Sequence, residues 1–183
     1  MAVNLEASFV LKNEDILNER VSKKINEMGE ELYKKTGVSV YIYVVKRVQN
    51  KKIGDFVKGI SKDLRSPFIL LFLARDNQKV DIYNSSDAIK LFDKDMTLSP
   101  FSWSGSIIPI LANPKMEDKY NVAMLNGYAD IAEQVAKSKN IKLESAIGST
   151  NRTIYHILRY GIYGFLIFVV FGYFYQKRKF KNE

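Results

Sequence analysis

At 183 residues the chain is long enough for one domain with a proper core and too short for two of ordinary size. It has no cysteine, and its one histidine, His156, borders an apolar segment, which excludes disulfides, thiolate catalysis, cysteine-based metal sites and a histidine triad or zinc site in the domain. Of the net charge of +8, the 22 Lys/Arg and 19 Asp/Glu of residues 1–150 contribute only +3; the other +5 lies in the last 33 residues around that apolar segment, as for a membrane anchor rather than a nucleic-acid binder.

Residues 15–35 place Leu17, Val21, Ile25, Met28 and Leu32 at spacings of 4, 4, 3 and 4 among charged residues, which predicts an amphipathic helix closed by Gly37. Val38 to Val45 is a nearly continuous β-branched and aromatic run, expected as an inner strand covered on both faces. Ile53, Phe56, Val57, Ile60 and Leu64 line one side of a second helix, with Pro67 beyond its end. Phe68 to Ala74 fits a second buried strand. After the turn at Arg75 to Gln78, Lys79 to Tyr83 turns Val80 and Ile82 inward as a hairpin partner. Ser86 is expected to cap a short helix through Phe92. Residues 93–117, with three of the four prolines, read as a long irregular connection. Asp118 to Lys139 is the last helix of the domain, with Met124, Tyr128, Ile131 and Val135 as its buried stripe and Glu117 and Asp118 supporting its N-terminus through the dipole. This order predicts a three-layer α/β/α sandwich with a small central sheet over residues 1–140, followed by a polar connector at 141–153.

From Tyr160 to Tyr175 there are 16 positions without charge, and extending back to Ile154 gives 22. A helix of that length spans about 33 Å, close to a hydrocarbon core of about 30 Å, with Arg159 able to snorkel. Tyr155, Tyr160 and Tyr163 at one end and Tyr173 and Tyr175 at the other resemble aromatic belts. A buried core helix would carry a polar stripe, and none occurs between Gly161 and Tyr175, so 154–175 is read as a single transmembrane helix and the lipid bilayer as its partner. Gly161, Gly164 and Gly172 share one helix face, which would let another helix approach closely. Lys177, Arg178, Lys179 and Lys181 make 176–183 a basic tail.

Several of these elements, with particular residues, resemble the TPM-domain family of membrane-associated proteins from bacteria and plastids. The resemblance rests on the first helix running into Lys35-Thr36-Gly37-Val38, a helix beginning near Gly54-Asp55-Phe56, the strand-turn-strand from Leu70 to Tyr83, and a last helix entered through Pro114 to Tyr120; it covers residues 10–140. It implies the α/β fold and a membrane-associated role. Some family members are associated with acid phosphatase activity or with calcium. The chain departs from the family at Leu64-Arg65-Ser66-Pro67 and Asn84-Ser85-Ser86-Asp87, so no catalytic residue is carried over.

One enzyme-like motif stands out. Asp93-Lys94-Asp95-Met96-Thr97 matches the D-x-D-x-T pattern of haloacid-dehalogenase-type phosphatases, in which the first aspartate attacks phosphorus, the second is general acid or base, and both help to hold magnesium. An extended backbone would set both carboxylates on one side. Against this, the preceding residues read as a helix rather than a buried strand, only 55 residues or so separate Thr97 from the membrane segment, and Met96 stands where a small residue is usual; the alternative is a solvated acidic loop. Phe101 and Trp103 form a candidate partner contact, with Trp103 readable as a core plug, a membrane-facing group or a partner contact.

The expectation is therefore a non-catalytic binding or scaffold domain, without cofactor, anchored in a bacterial inner membrane and serving the assembly, stability or quality control of another integral membrane protein. The alternative is a metal-dependent acid phosphatase using Asp93 and Asp95. The basic tail favours an external domain by the positive-inside rule, but Met1 to Asp15 has no signal-peptide pattern, and counting Lys139 and Lys142 balances the charges; the expectation leans to a tail-anchored protein with a cytoplasmic domain.

Overall fold

The computed structural model describes residues 8–49, 52–147 and 161–171. The chain divides into two units, Met1–Gly148 and Ser149–Glu183. In the first, the elements run β1 (Val10–Asn13), α1 (Glu19–Thr36), β2 (Ser39–Val45), α2 (Ile53–Ser61), β3 (Phe68–Ala74), β4 (Lys79–Asn84), a 3-10 helix over Ser86–Leu91, α3 (Lys94–Thr97), α4 (Ile108–Leu111) and α5 (Lys119–Ser138). The strands form one mixed sheet in the order β1-β2-β3-β4, parallel except for the antiparallel β3–β4 hairpin.

The pleat sorts the two strand-core runs onto opposite faces. Val40, Ile42 and Val44, aligned with Ile69, Leu71 and Leu73, face α1 and α5; Leu70, Phe72 and Ala74 face the shorter α2. A sheet covered on both sides explains why β2 and β3 read as unbroken apolar runs. Over α2 the packing is largely aromatic, with Phe72 against Tyr43, Phe56 and Tyr83 at centroid distances of 6.0, 6.2 and 6.5 Å.

Each long helix is positioned by local chemistry. Asn18 Oδ1 accepts the Val21 amide at 2.9 Å at the start of α1, and Gly37, at φ 72°, closes it in the left-handed region, its N–H donating to the Tyr33 carbonyl at 2.8 Å. The expected stripes on α1 and α5 are buried throughout. Tyr128 of α5 lies fully inside and donates from its hydroxyl to the Val40 carbonyl at 2.8 Å, fastening the helix to β2. Burial pushes that phenol well above its usual range, with the nearby Tyr41 adding to the effect.

Four details differ from the sequence expectation. The sheet gains an edge strand, β1, whose entry is held by Asn26 Oδ1 accepting the amides of Phe9 and Val10 at 2.8 and 3.3 Å. The helix after β4 is a 3-10 helix capped by Ser85, not Ser86, and the Ser85 hydroxyl turns to the Asp87 carboxylate instead of a helix amide. The 93–117 connection contains two one-turn helices, α3 and α4. The polar connector assigned to 141–153 is, over its first residues, part of the domain: Leu143 is 5% exposed and joins the core beside α1 and α5.

That docking depends on one side chain. The Glu31 carboxylate accepts the amides of Glu144 and Ser145, each at 2.8 Å, and the Ser145 hydroxyl, while Lys35 pairs with it at 2.6 Å and donates to the Lys142 carbonyl at 3.1 Å. Partial burial on its own would raise the Glu31 carboxyl; the hydrogen bonds from Lys35, Ser145 and the two amides outweigh it and bring it from 4.5 down to about 2.

In the second unit, residues 161–171 are helical and every side chain is exposed. Eleven residues of helix extend about 16 Å, and among the described residues no helix is long and apolar enough to cross a membrane. The rest of the expected 154–175 span, Gly172 and the tail residues Lys177, Arg178, Lys179 and Lys181 lie outside the described residues. A Cβ at Gly161 or Gly164 would meet open space.

Candidate functional site: an aromatic loop braced on a buried polar network

The segment leaving the 3-10 helix is organised around Asp130, which α5 carries at 4% exposure. Burying a carboxylate demands hydrogen-bond partners. Two hydroxyls supply them: Ser106 Oγ donates to Asp130 Oδ2 at 2.8 Å and Thr97 Oγ1 lies 3.1 Å from the same oxygen. Thr97 is fully buried at the end of α3, also accepts from Gln134 Nε2 at 3.0 Å, and shares its proton with the Asp93 carbonyl at 3.0 Å. Gln134 returns the contact by accepting the Asp93 amide at 2.8 Å. Asp130 and Gln134 are four residues apart on α5 and so present neighbouring side chains to α3.

The phosphatase-like residues take part in this scaffold. Asp93 is the N-cap of α3, its Oδ1 accepting the Met96 amide at 2.9 Å, and Asp95 lies in the first turn. The backbone from Lys94 to Thr97 is helical, so the extended arrangement that would align Asp93 and Asp95 on one side is not formed; the short spacing suits a capped turn instead. Lys94 reaches back to Asp81 of β4 at 2.8 Å and lies 5.5 Å from the Tyr83 ring centre. Asp81 is raised by burial but lowered more by Lys94 and the Ile82 amide, and ends below its ordinary range. Among the described residues there is no group of three or more His, Cys, Asp or Glu arranged to hold a metal ion.

Between the two hydroxyls that meet Asp130 runs the loop from Leu98 to Gly105. Its base is closed by the Ser106 amide donating to the Thr97 carbonyl at 3.2 Å. Inside it, the amides of Ser104 and Gly105 donate to the Phe101 carbonyl at 3.1 and 2.8 Å, and the Ser99 and Ser104 hydroxyls meet at 2.6 Å. Gly105 is required by packing: a Cβ there would stand 1.8 Å from the Ser99 carbonyl oxygen. Beyond the loop, Ile107 is fully buried against the open face of Gly127 on α5.

This loop holds its two largest side chains outward. Phe101 and Trp103 are 53% and 51% exposed and stack on one another, with centroids 4.6 Å apart and rings 13° from parallel. Trp103 is therefore not a core plug; the core position in this segment belongs to Ile107. The sequence reading singled out Phe101, Trp103, Asp93 and Asp95 but missed Ser106, Asp130 and Gln134. The signal for Asp130 was its place inside the apolar stripe of α5, between Tyr128 and Ile131.

No family model matches this chain, and no curated protein matches it. Among solved structures, it is similar to the N-terminal domain of a protein from P. gingivalis, determined by solution NMR, at 12% identity over 76% of this chain and 88% of that one, with a TM-score of 0.60. A second NMR structure, of a protein from the psychrophilic bacterium Bizionia argentinensis, matches at 14% identity over 75% of this chain and 97% of that one, with a TM-score of 0.48. The likeness to the P. gingivalis domain is one of fold, a small α/β domain.

Proposed function

We propose that this chain is a membrane-anchored, non-catalytic binding domain of TPM type that serves the assembly, stability or quality control of another membrane protein or complex. The observation that carries the reading is the division of labour around α3. Asp93 and Thr97 of the enzyme-like motif are engaged in capping and bracing, and what the scaffold displays is the preformed Phe101–Trp103 pair. A preorganised aromatic pair is a contact surface, since the ordering entropy of its loop is already met in the free protein. The exposed apolar helix at 161–171 supports assignment of 154–175 as the anchor.

Purification of the full chain from native membranes in mild detergent is expected to recover a stoichiometric integral membrane partner, and recovery of a partnerless monomer would count against the proposal. The competing phosphatase reading is tested with a generic phosphomonoester and magnesium or calcium. Turnover abolished by Asp93→Asn would overturn the non-catalytic assignment.

A further inference from the structure

We infer that the Phe101–Trp103 loop is a membrane-interface wedge, which beds its stacked rings among lipid headgroups and holds the domain against the bilayer to which the same chain is tethered. This inference rests on the proposed anchor at 154–175. Four observations carry it. In a chain that is 26% charged, the 19 residues from Met96 to Pro114 contain no charge. A protein-binding hot spot draws on tryptophan together with tyrosine and arginine, inside a polar rim; this stretch has neither tyrosine nor arginine. Three of its serines are engaged within the domain, Ser99 with Ser104 and Ser106 with Asp130, which leaves the exposed Ser102 as the one polar side chain between the two rings. The exposed large apolar side chains of the stretch are a tryptophan and a phenylalanine, and the indole, apolar with one N–H donor, suits the boundary between headgroups and acyl chains.

Two half-exposed rings make a weak anchor by themselves. On a chain already held in the membrane, their contact becomes intramolecular, and the effective concentration supplied by the tether makes a weak contact persistent. The hydrogen bonds that fix the loop add to this, because insertion then orders nothing new.

Trp103 is the only tryptophan, so intrinsic fluorescence reads it alone. The test uses the full chain in phosphatidylcholine bicelles, in which both bilayer faces are open, with bromine placed shallow or deep on the acyl chains. Shallow bromine is expected to lower Trp103 emission about twofold and more than deep bromine, as for an interfacial indole, with acrylamide access reduced. Phe101→Ser, checked for an unchanged circular dichroism spectrum, is expected to weaken the bromine effect. Alkaline extraction of the full chain from phosphatidylcholine vesicles separates the two readings. Retention in the membrane with a bromine-silent, acrylamide-accessible Trp103 overturns the wedge and leaves the anchor standing. Release from the vesicles overturns the anchor and the wedge with it. A Trp103 that is shielded from acrylamide but silent to bromine is in contact with protein, and also overturns the wedge.

Discussion

Ser106 donates its hydroxyl proton to the carboxylate of Asp130 at 2.8 Å, joining the far end of an exposed loop to the inward side of α5. Removing the carboxylate takes the shared acceptor from two hydroxyls, leaving Thr97 only the Asp93 carbonyl at 3.0 Å and Ser106 only the longer contact to the Thr97 carbonyl at 3.4 Å. Asp130→Ala is expected to destabilise the domain by about 2–4 kcal/mol, the cost of taking an acceptor from two donors. Asp130→Asn, which keeps one acceptor oxygen, should cost about half as much. Thermal unfolding of the full chain in detergent, followed by circular dichroism, measures both, and equal losses would show that the hydroxyls do not depend on that oxygen.

The loop itself hinges on Gly105. Because the obstruction to a Cβ is the Ser99 backbone oxygen, not a movable side chain, Gly105→Ala is expected to rebuild the loop and part the Phe101–Trp103 stack while leaving the sheet intact. The Trp103 near-ultraviolet dichroism should collapse with the far-ultraviolet spectrum unchanged. Retention of the near-ultraviolet band would mean that the close approach is not needed.

A second close approach lies under α1. A Cβ at Gly29 would stand 2.4 Å from both the Phe9 ring and the Tyr128 hydroxyl oxygen, and that hydroxyl is already committed to Val40. Gly29→Ala gains about 1 kcal/mol of helix propensity, but overpacking should outweigh it and leave a net loss of about 1–2 kcal/mol. At Gly127 a Cβ would stand 2.4 Å from Ile107 Cγ1, on a β-branched side chain that is fully buried and stiff about χ1, so Gly127→Ala should be destabilising as well. Denaturant midpoints of the two variants test both losses.

The central architecture was legible because the strands that form it are buried on both faces and the helices on one, so their apolar periods are unambiguous. Gly37 was legible as a cap for the same local reason. β1 was not, because four residues with only their ends partly buried carry no period, and the strand is fixed by pairing with β2 and by Asn26 at its entry, both distant in sequence. The 93–117 stretch hid its order in hydrogen bonds to α5, about 33 residues on from Thr97. Its aromatic pair could be picked out by residue type, whereas the outward direction of Trp103 depends on Ile107 filling the core position, a competition that spacing does not reveal.

Acid is expected to loosen the end of the domain before its core. Glu31 has a folded carboxyl at about 2 against an ordinary 4.5, so its contribution is complete above 4.5 and is lost as the pH falls toward 2. Amide protection of Glu144 and Ser145, measured by hydrogen exchange against intrinsic rates, should fall across that window while protection in β3 persists. Glu31→Ala should abolish it already at neutral pH. Protection that survives the substitution would assign the docking to Leu143 alone.

The Glu31 clamp also decides where mechanical load enters the domain. Tension from a C-terminal attachment would reach residues 143–145 before α5, and there it would meet the bonds from Glu144 and Ser145 to a single carboxylate on α1. Those few bonds give way at lower force than a helix packed along its length against the sheet. A pull on the C-terminal side of the domain would therefore free residues 143–145 before it loaded α5 and the sheet.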